Sequence, residues 1–316
     1  MSAPTLAFLG AGTMALRQGQ AFLDAGLSPR AFATVFDRNP AAARAFADRF
    51  GAVPADSARG AIERASHVII ATSAGAHASD AFAALELRRA VFVEKPLALS
   101  VRDGAALTVL SERLGVSLHV GLSERFHPVV RALLAELDGR RAEHVVASRR
   151  VVAMRGRDCS IAQNLAVHDA DLALLLTRTE LRVDRSATAA TPSAFRTRFV
   201  GEQSELVSLE ATVGAAVPAR IVTVVAGRVT YEADLLDGTL FRLSGGTATP
   251  LPVAGESGLV AQARAVIGAW SGQHPATLAT ARDAFRSLVL LARASHPGGA
   301  RPRDRVEYLP AAAPFG

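Results

Sequence analysis

Residues 5–15, TLAFLGAGTMA, carry a short apolar run straight into Gly10-Ala11-Gly12-Thr13-Met14-Ala15. A continuous apolar stretch of this length reads as a strand buried on both faces. The G-x-G-x-x-A that follows has a physical job for each fixed position. Gly10 makes the tight turn, Gly12 lets backbone approach a pyrophosphate, and the small Ala15 permits close helix–strand packing. Thr13 and Met14 open the helix, whose unpaired N–H groups and positive dipole end would face the phosphates. Glycine turns between strand and helix are common, so the loop alone decides little. Asp37 adds weight, because it closes the next apolar strand (ATVFD, 33–37) a little over 20 residues further on. A carboxylate there accepts hydrogen bonds from ribose hydroxyls and repels a 2′-phosphate, which favours NAD. Arg38 beside it can hold such a phosphate, so NADP stays open.

The same alternation continues through the first part of the chain. Gly26 stops the first helix, and Asn39-Pro40 starts a second over 41–50. Strands follow at HVIIAT (67–72), VFVE (91–94) and SLHVGL (117–122), separated by helices over about 76–88 and 101–114. Short apolar strands alternating with helices predict an α/β unit, a doubly wound parallel sheet of Rossmann type, over residues 1–122. Past 123 the pattern changes. Helices are expected over 125–137 and 164–177, and the alternating runs HVVASRRVVA, ELVSLEATVG, RIVTVVAG and RVTYEADLL succeed one another without helices between them. Residues 123–316 therefore read as an α+β domain with a largely antiparallel open sheet. TATPLPVAGESG (247–258) reads as a loop, and two helices (about 259–271 and 278–294) precede a Pro/Gly-rich tail.

Composition narrows the function classes. Half the 316 residues are hydrophobic, 20% are charged and only 5% aromatic, which predicts a substantial core built mainly of Ala, Val and Leu. The net charge is +6, and the basic pairs Arg88-Arg89, Arg140-Arg141 and Arg149-Arg150 are scattered, so nucleic acid is not the expected partner. One cysteine, Cys159, excludes an internal disulfide and a multi-cysteine metal cluster. The eight histidines show no H-x-x-x-H spacing, so no metal is expected. No apolar run approaches the roughly 20 residues that span a bilayer, and the N-terminus lacks a secretory pattern, so a cytoplasmic protein away from membranes is expected.

Lysine usage singles out one residue. Every cation among the 35 Lys+Arg is arginine except Lys95, in VFVEKPLALS (91–100). An ammonium can hydrogen-bond an alcohol or alkoxide oxygen and exchange a proton with it. A guanidinium is planar and too basic for that exchange. Pro96 biases Lys95 to extended geometry and can adopt a cis bond, which would fix the direction of the side chain.

Strand–GAGTMA–helix, VIIAT followed by His77, VFVEKPLALS, GLSERFHPVV and NLAVHDADL share the order and spacing of the glucose–fructose oxidoreductase/inositol dehydrogenase (Gfo/Idh/MocA) family. The resemblance runs from about residue 5 to 178, and more loosely to 294. Around E-R-F-x-P and H-D-x-D the chain looks most like the branch that oxidises sugar nucleotides, such as UDP-N-acetylglucosamine 3-dehydrogenase. The resemblance implies that Lys95 sits beside the nicotinamide and touches the hydroxyl to be oxidised. It places Thr72, His77 and Glu94 near the cofactor; for Glu94 a plain salt bridge to an arginine competes. His168 would face the substrate as a second proton-transfer group.

Asn164, His168, Asp171 and Leu175 fall on one stripe of an ideal helix, in a segment that is otherwise apolar nearly all round. Family members commonly carry aspartate one turn before the histidine. Asn164 cannot take a proton, which shifts acid–base work onto Lys95 and His168. Asp169 and Asp171 read as residues that hold the helix or orient His168, with Asp171 near the substrate. Arg125 resembles a residue at the domain junction where substrate lies; a surface arginine is the competing reading. Arg155, Arg157 and Cys159 occupy a predicted loop where a diphosphate would meet them.

The expected function is NAD(H)-dependent interconversion of a secondary alcohol and a ketone on a sugar, cyclitol or sugar nucleotide. A catalytically silent dinucleotide-binding regulator is the alternative from another class, and retention of Lys95 argues against it. By resemblance the open face of the second sheet packs on another subunit, giving a homodimer or homotetramer.

Overall fold

The computed structural model describes residues 3–153 and 159–295. The first sheet has six parallel strands in the order β3-β2-β1-β4-β5-β6, where β1 is Leu6–Leu9, β2 Phe32–Phe36, β3 Val53–Pro54, β4 His67–Ile70, β5 Ala90–Glu94 and β6 Leu118–Gly121. The connecting helices are α1 Thr13–Asp24, α2 Pro40–Phe50, α3 Ala58–Glu63, α4 Ala74–Glu86 and α5 Val101–Leu114. The chain steps out from β1 to β3, then returns to start β4 on the other side of β1. That reversal opens a crevice at the carboxyl ends of β1 and β4, where doubly wound sheets bind ligands.

Local chemistry explains the helix boundaries. Asn39 caps α2 by accepting from the Ala41 amide, Pro40 takes the first turn, and Gly51 closes the helix in the left-handed region. Ser100 caps α5 in the same way, accepting from the Asp103 amide. Alanine, valine and leucine fill most of the interior, but one face of the first sheet is aromatic. Phe8 lies 4.7 Å from Phe46, Phe46 4.6 Å from Phe50, and Phe50 5.2 Å from Phe32, between ring centroids. So the low overall aromatic content is concentrated beneath the dinucleotide half, where large rings bury much area per residue.

The second sheet has eight strands in the order β14-β13-β12-β11-β7-β10-β9-β8. These are β7 His144–Val151, β8 Leu181–Ala190, β9 Ala194–Gly201, β10 Leu206–Val213, β11 Ala219–Ala226, β12 Val229–Asp234, β13 Thr239–Ser244 and β14 Thr247–Leu251. All its ladders are antiparallel except that of β7 with β10. Helices α6 Pro128–Leu137, α7 Val167–Thr177, α8 Gly258–Trp270 and α9 Ala281–Ser295 complete the described chain. Gly104 of α5 lies so near α9 that a Cβ there would sit 2.8 Å from a Leu288 methyl, which ties the two halves together. No described helix is long and apolar enough to cross a membrane.

Three expectations are corrected. Residues 247–251 are an edge strand, not loop, because β13 supplies a ladder for them; Pro250 is tolerated at an edge. The helix expected over 125–137 is split. Ser123–Phe126 form a 3-10 turn, His127 is extended at ψ 133° as a residue before proline prefers, and α6 starts at Pro128. The helix expected over 164–177 begins as a π-turn, Ala162–Ala166, before α7. Asn164 therefore lies within the π-turn, and His168 and Asp171 lie in α7 proper.

Candidate active site

Gly10 stands at φ +90°, and its amide donates to Phe36 O at 2.8 Å. A Cβ at this position would lie 2.5 Å from Ala71 O, so only glycine lets the β1 turn press against the end of β4. Gly10→Ala is expected to lose stability by about 1–3 kcal/mol, the usual range for such strain, read from denaturant midpoints. Gly12 caps α1 without any side-chain hydrogen bond, and α1 has no acidic residue in its first turn. A Cβ on Gly12 would meet nothing within 4 Å. The α1 start is thus an open, uncapped positive end, as a pyrophosphate requires.

Asp37 braces this loop. Its Oδ2 accepts from the Ala11 amide at 2.8 Å and its Oδ1 from the Asn39 amide at 2.7 Å. The α2 cap is Asn39, so capping is not what Asp37 does. Each carboxylate oxygen has one backbone donor and keeps lone-pair capacity for a ribose hydroxyl. Arg38 is exposed next to it. These features fit an adenine dinucleotide.

At the opposite end of the crevice, the Lys95–Pro96 bond is cis and Lys95 Nζ donates to both Asn164 O and Asn164 Oδ1 at 2.8 Å. An ammonium has three donors, so one is left over. Burial pushes the Lys95 pKa below the ordinary lysine value, and the Glu94 carboxylate opposes the shift. Lys95, Met14, Thr72, His77, Glu94, Cys159 and Asn164 line one recess of about 180 Å³. Glu94 is buried, accepts from Gln18 Nε2 at 2.6 Å, and has no arginine partner among the described residues. Burial raises its pKa, against the pull of Gln18 and Lys95. His77 is a brace: its ring nitrogens lie 2.7 Å from Pro96 O and 3.1 Å from Thr72 O, joining the Lys95 loop to the β4 end. The Thr72 hydroxyl is given to Asp80 at 2.9 Å.

His168 lines a neighbouring cavity of about 660 Å³ with Glu124, His127, Arg220 and the loop Val253–Gly258. Its Nδ1 has no hydrogen-bond partner and lies 3.9 Å from Glu124 Oε1. Burial lowers its pKa to about 3; Glu124 resists, while Lys95, Arg149 and Arg220 reinforce the drop. The imidazole is neutral at neutral pH.

Residues 5–122 match the family model described as "Oxidoreductase family, NAD-binding Rossmann fold". That model is the Gfo/Idh/MocA one, and its match is confined to the dinucleotide half of the chain. Over 150 residues, 47% of this chain and 47% of the relative, the sequence is 27% identical to UDP-N-acetylglucosamine 3-dehydrogenase of Acidithiobacillus ferrooxidans. The match therefore spans about half the length of that curated relative. A solved structure of the same enzyme, GnnA, superposes with a TM-score of 0.84 at 21% identity, over 94% of this chain and 98% of that one. Biliverdin reductase from Synechocystis sp. PCC 6803, solved with biliverdin and NADP+, gives 0.79 at 22% identity, over 95% and 100%. At these identities the structural likeness is one of fold.

Within this chain the structure gathers Met14, Thr72, His77, Glu94, Lys95 and Asn164 at one recess and puts His168 in the other cavity. Arg125 and Asp171 do not face either. Arg125 Nε and Nη2 reach Asp171 Oδ2 and Oδ1 at 2.7 and 2.6 Å, with both residues buried. A bidentate buried pair spends its hydrogen-bonding capacity internally. The pair pins α7 to the turn before α6, and Arg125 Nη1 also lies 3.7 Å from Asp283 Oδ2. Arg155 and Arg157 lie outside the described residues; Cys159 lines the Lys95 recess.

Sequence reading missed a second buried charge group. Arg149 donates to Asp169 Oδ2 and Oδ1 at 2.9 and 2.7 Å and to Glu124 Oε2 at 2.7 Å, while Arg220 donates to Glu124 Oε1 at 2.6 Å. Burial works against the Glu124 carboxylate, but its cationic neighbours outweigh it and hold its pKa below the usual range. A signal existed for Arg149. It shares the inward phase of Val145 and Ala147 on β7, where a charge needs a partner.

Proposed function

We propose that the protein is a cytoplasmic NAD(H)-dependent oxidoreductase interconverting a secondary alcohol and a ketone on a sugar or sugar nucleotide. The observation that carries this reading is the sole lysine, held by Asn164 in the crevice and depressed in pKa by burial. The dinucleotide, bound at Gly10, Gly12, Thr13 and Asp37, supplies the two-electron acceptor or donor. NAD is favoured by Asp37, while exposed Arg38 leaves room for NADP.

Lys95 places its remaining N–H on the substrate oxygen and stabilises the negative charge that builds there as the alcohol is oxidised. Asn164 fixes Nζ through two acceptors and takes no proton itself. Glu94, hydrogen-bonded to Gln18 and to the Lys95 amide, sets the backbone from which Lys95 projects. His168, neutral and at the cavity wall, assists the proton on the substrate side. In this reading residues 1–122 bind cofactor and 123–316 supply the substrate cavity and oligomer contacts. The sugar-nucleotide choice is supported by the relative named UDP-N-acetylglucosamine 3-dehydrogenase. The outward face of the second sheet, with Val146 and Leu206 exposed, supports homodimer or homotetramer formation.

The test is NADH formation with a panel of UDP-sugars, free sugars and cyclitols. Turnover with at least one, strongest for a UDP-sugar, is expected. Tight NAD binding with no turnover across the panel would contradict the enzyme reading.

A further inference from the structure

Two groups compete for one oxygen beside the proposed proton-transfer histidine. Glu124 Oε1 receives Arg220 Nη2 at 2.6 Å and lies 3.9 Å from His168 Nδ1. The other carboxylate oxygen, Oε2, is fixed by Arg149, whose second carboxylate is Asp169. Glu124 therefore cannot swing away. It can only share or hand over Oε1. His168 Nδ1 is buried without a partner, and so is Arg220 Nε. An unpartnered buried polar atom is costly, so neither arrangement is a resting optimum for the histidine or the arginine. Arg220 differs from Arg149 in being reachable: its side chain is 29% exposed against 7%, and it lines the cavity. The two arginines are cross-strand neighbours on β11 and β7, so their repulsion favours any anion that draws Arg220 outward.

We propose that Glu124 is the positioning residue of His168 and that Arg220 gates it: an anionic group of the substrate, of phosphate or diphosphate type, takes Arg220 and releases Oε1 to His168 Nδ1. This rests on the enzymatic reading above and assigns that site an anionic substrate class. With Nδ1–H donated to Glu124, the ring keeps its proton there and presents Nε2 as the base that receives the alcohol proton. The carboxylate then raises the basicity of a ring that Lys95, Arg149 and Arg220 otherwise hold neutral and weakly basic. The charged groups acting on His168 are Glu124, Lys95, Arg149 and Arg220, with Asp169 behind Arg149 and the titratable His127 on the same cavity wall. Recognition of the anion is coupled in this way to the strength of a base in the same cavity.

The full-length protein labelled with ¹⁵N-histidine and saturated with NAD tests this without requiring turnover, so failure of the enzyme reading and failure of the gate are separable. Inorganic pyrophosphate serves as the anion probe. In the wild type it should move the neutral His168 ring to the Nδ1-protonated tautomer and raise its protonation midpoint by about one pH unit or more, a tenfold change. Arg220→Ala should show both effects without pyrophosphate. Glu124→Gln, alone or combined with Arg220→Ala, should abolish the rise in midpoint, because the amide oxygen can accept from Nδ1–H but carries no charge to stabilise the imidazolium. A pyrophosphate response equal in Glu124→Gln and wild type would mean the anion acts on His168 directly and would overturn the proposal. So would an unchanged His168 spectrum in wild type with pyrophosphate, or an Arg220→Ala midpoint shift that persists in the double variant. Native-like amide spectra of each variant separate these results from loss of fold.

Discussion

Lys95→Ala is expected to lower kcat by roughly 10²–10⁴ while leaving NAD affinity within a few-fold, the range for removing a positioned acid–base group. The residues proposed to bind the dinucleotide phosphates and ribose, Gly10, Gly12 and Asp37, belong to the β1 and β2 ends, and the hydrogen bonds of the Lys95 ammonium go to Asn164 instead. Lys95→Arg should fail as well. The guanidinium keeps the charge but cannot release a proton, and its flat fork does not reproduce an ammonium held between Asn164 O and Oδ1. Single-turnover kinetics and fluorescence titration with NADH separate the two effects. A Lys95→Ala enzyme within tenfold of wild type would remove the lysine from the chemistry.

Arg149→Met should be the most destabilising of the single changes near the site, by about 3–5 kcal/mol, the cost of stripping the partner from a buried ion pair. Arg149 serves two buried carboxylates, those of Asp169 and Glu124, and methionine fills the space without neutralising either. The pH dependence has a definite sign. In the wild type, Glu124 has a depressed folded-state pKa, so its contribution is present above the unfolded value and is lost as pH falls. Without Arg149, Glu124 keeps Arg220 but Asp169 loses the partner that opposes its burial, so the pKa of Asp169 rises further, its charged form destabilises the variant at neutral pH, and protonation relieves it. The stability gap between wild type and variant therefore narrows as pH drops through the carboxylate range. Urea unfolding at neutral and mildly acidic pH measures it. A gap of constant size would mean that the cost is packing rather than charge.

The parts legible in the sequence were those with a local cause. A two-sided buried strand, a glycine turn and a capped helix each follow from neighbouring residues, so α2 over 40–50 and α5 over 101–114 were readable to within a residue. Lys95 stood out by scarcity alone. The misread elements depend on distant partners. Strand β14 exists because β13 offers it hydrogen bonds, and the π-turn at 162–166 coincides with Asn164 offering both its carbonyl and its side chain to Lys95, 69 positions earlier. The ideal-helix stripe joined Asn164 to Asp171, whereas the fold sends one to Lys95 and the other to Arg125. Glu124 stands in the E-R-F-x-P stretch, but its ion-pair role is not legible there, since its three neighbours arrive from β7, β11 and α7.

Because Lys95 is the only lysine, ¹⁵N-lysine labelling gives a single ζ-nitrogen resonance whose titration can be followed with and without NAD+. A midpoint below the ordinary lysine value, lowered further when the cationic pyridinium binds, is the predicted result. A midpoint at the ordinary value that ignores the cofactor would place the ammonium in open solvent, away from the reacting atoms, and contradict the account.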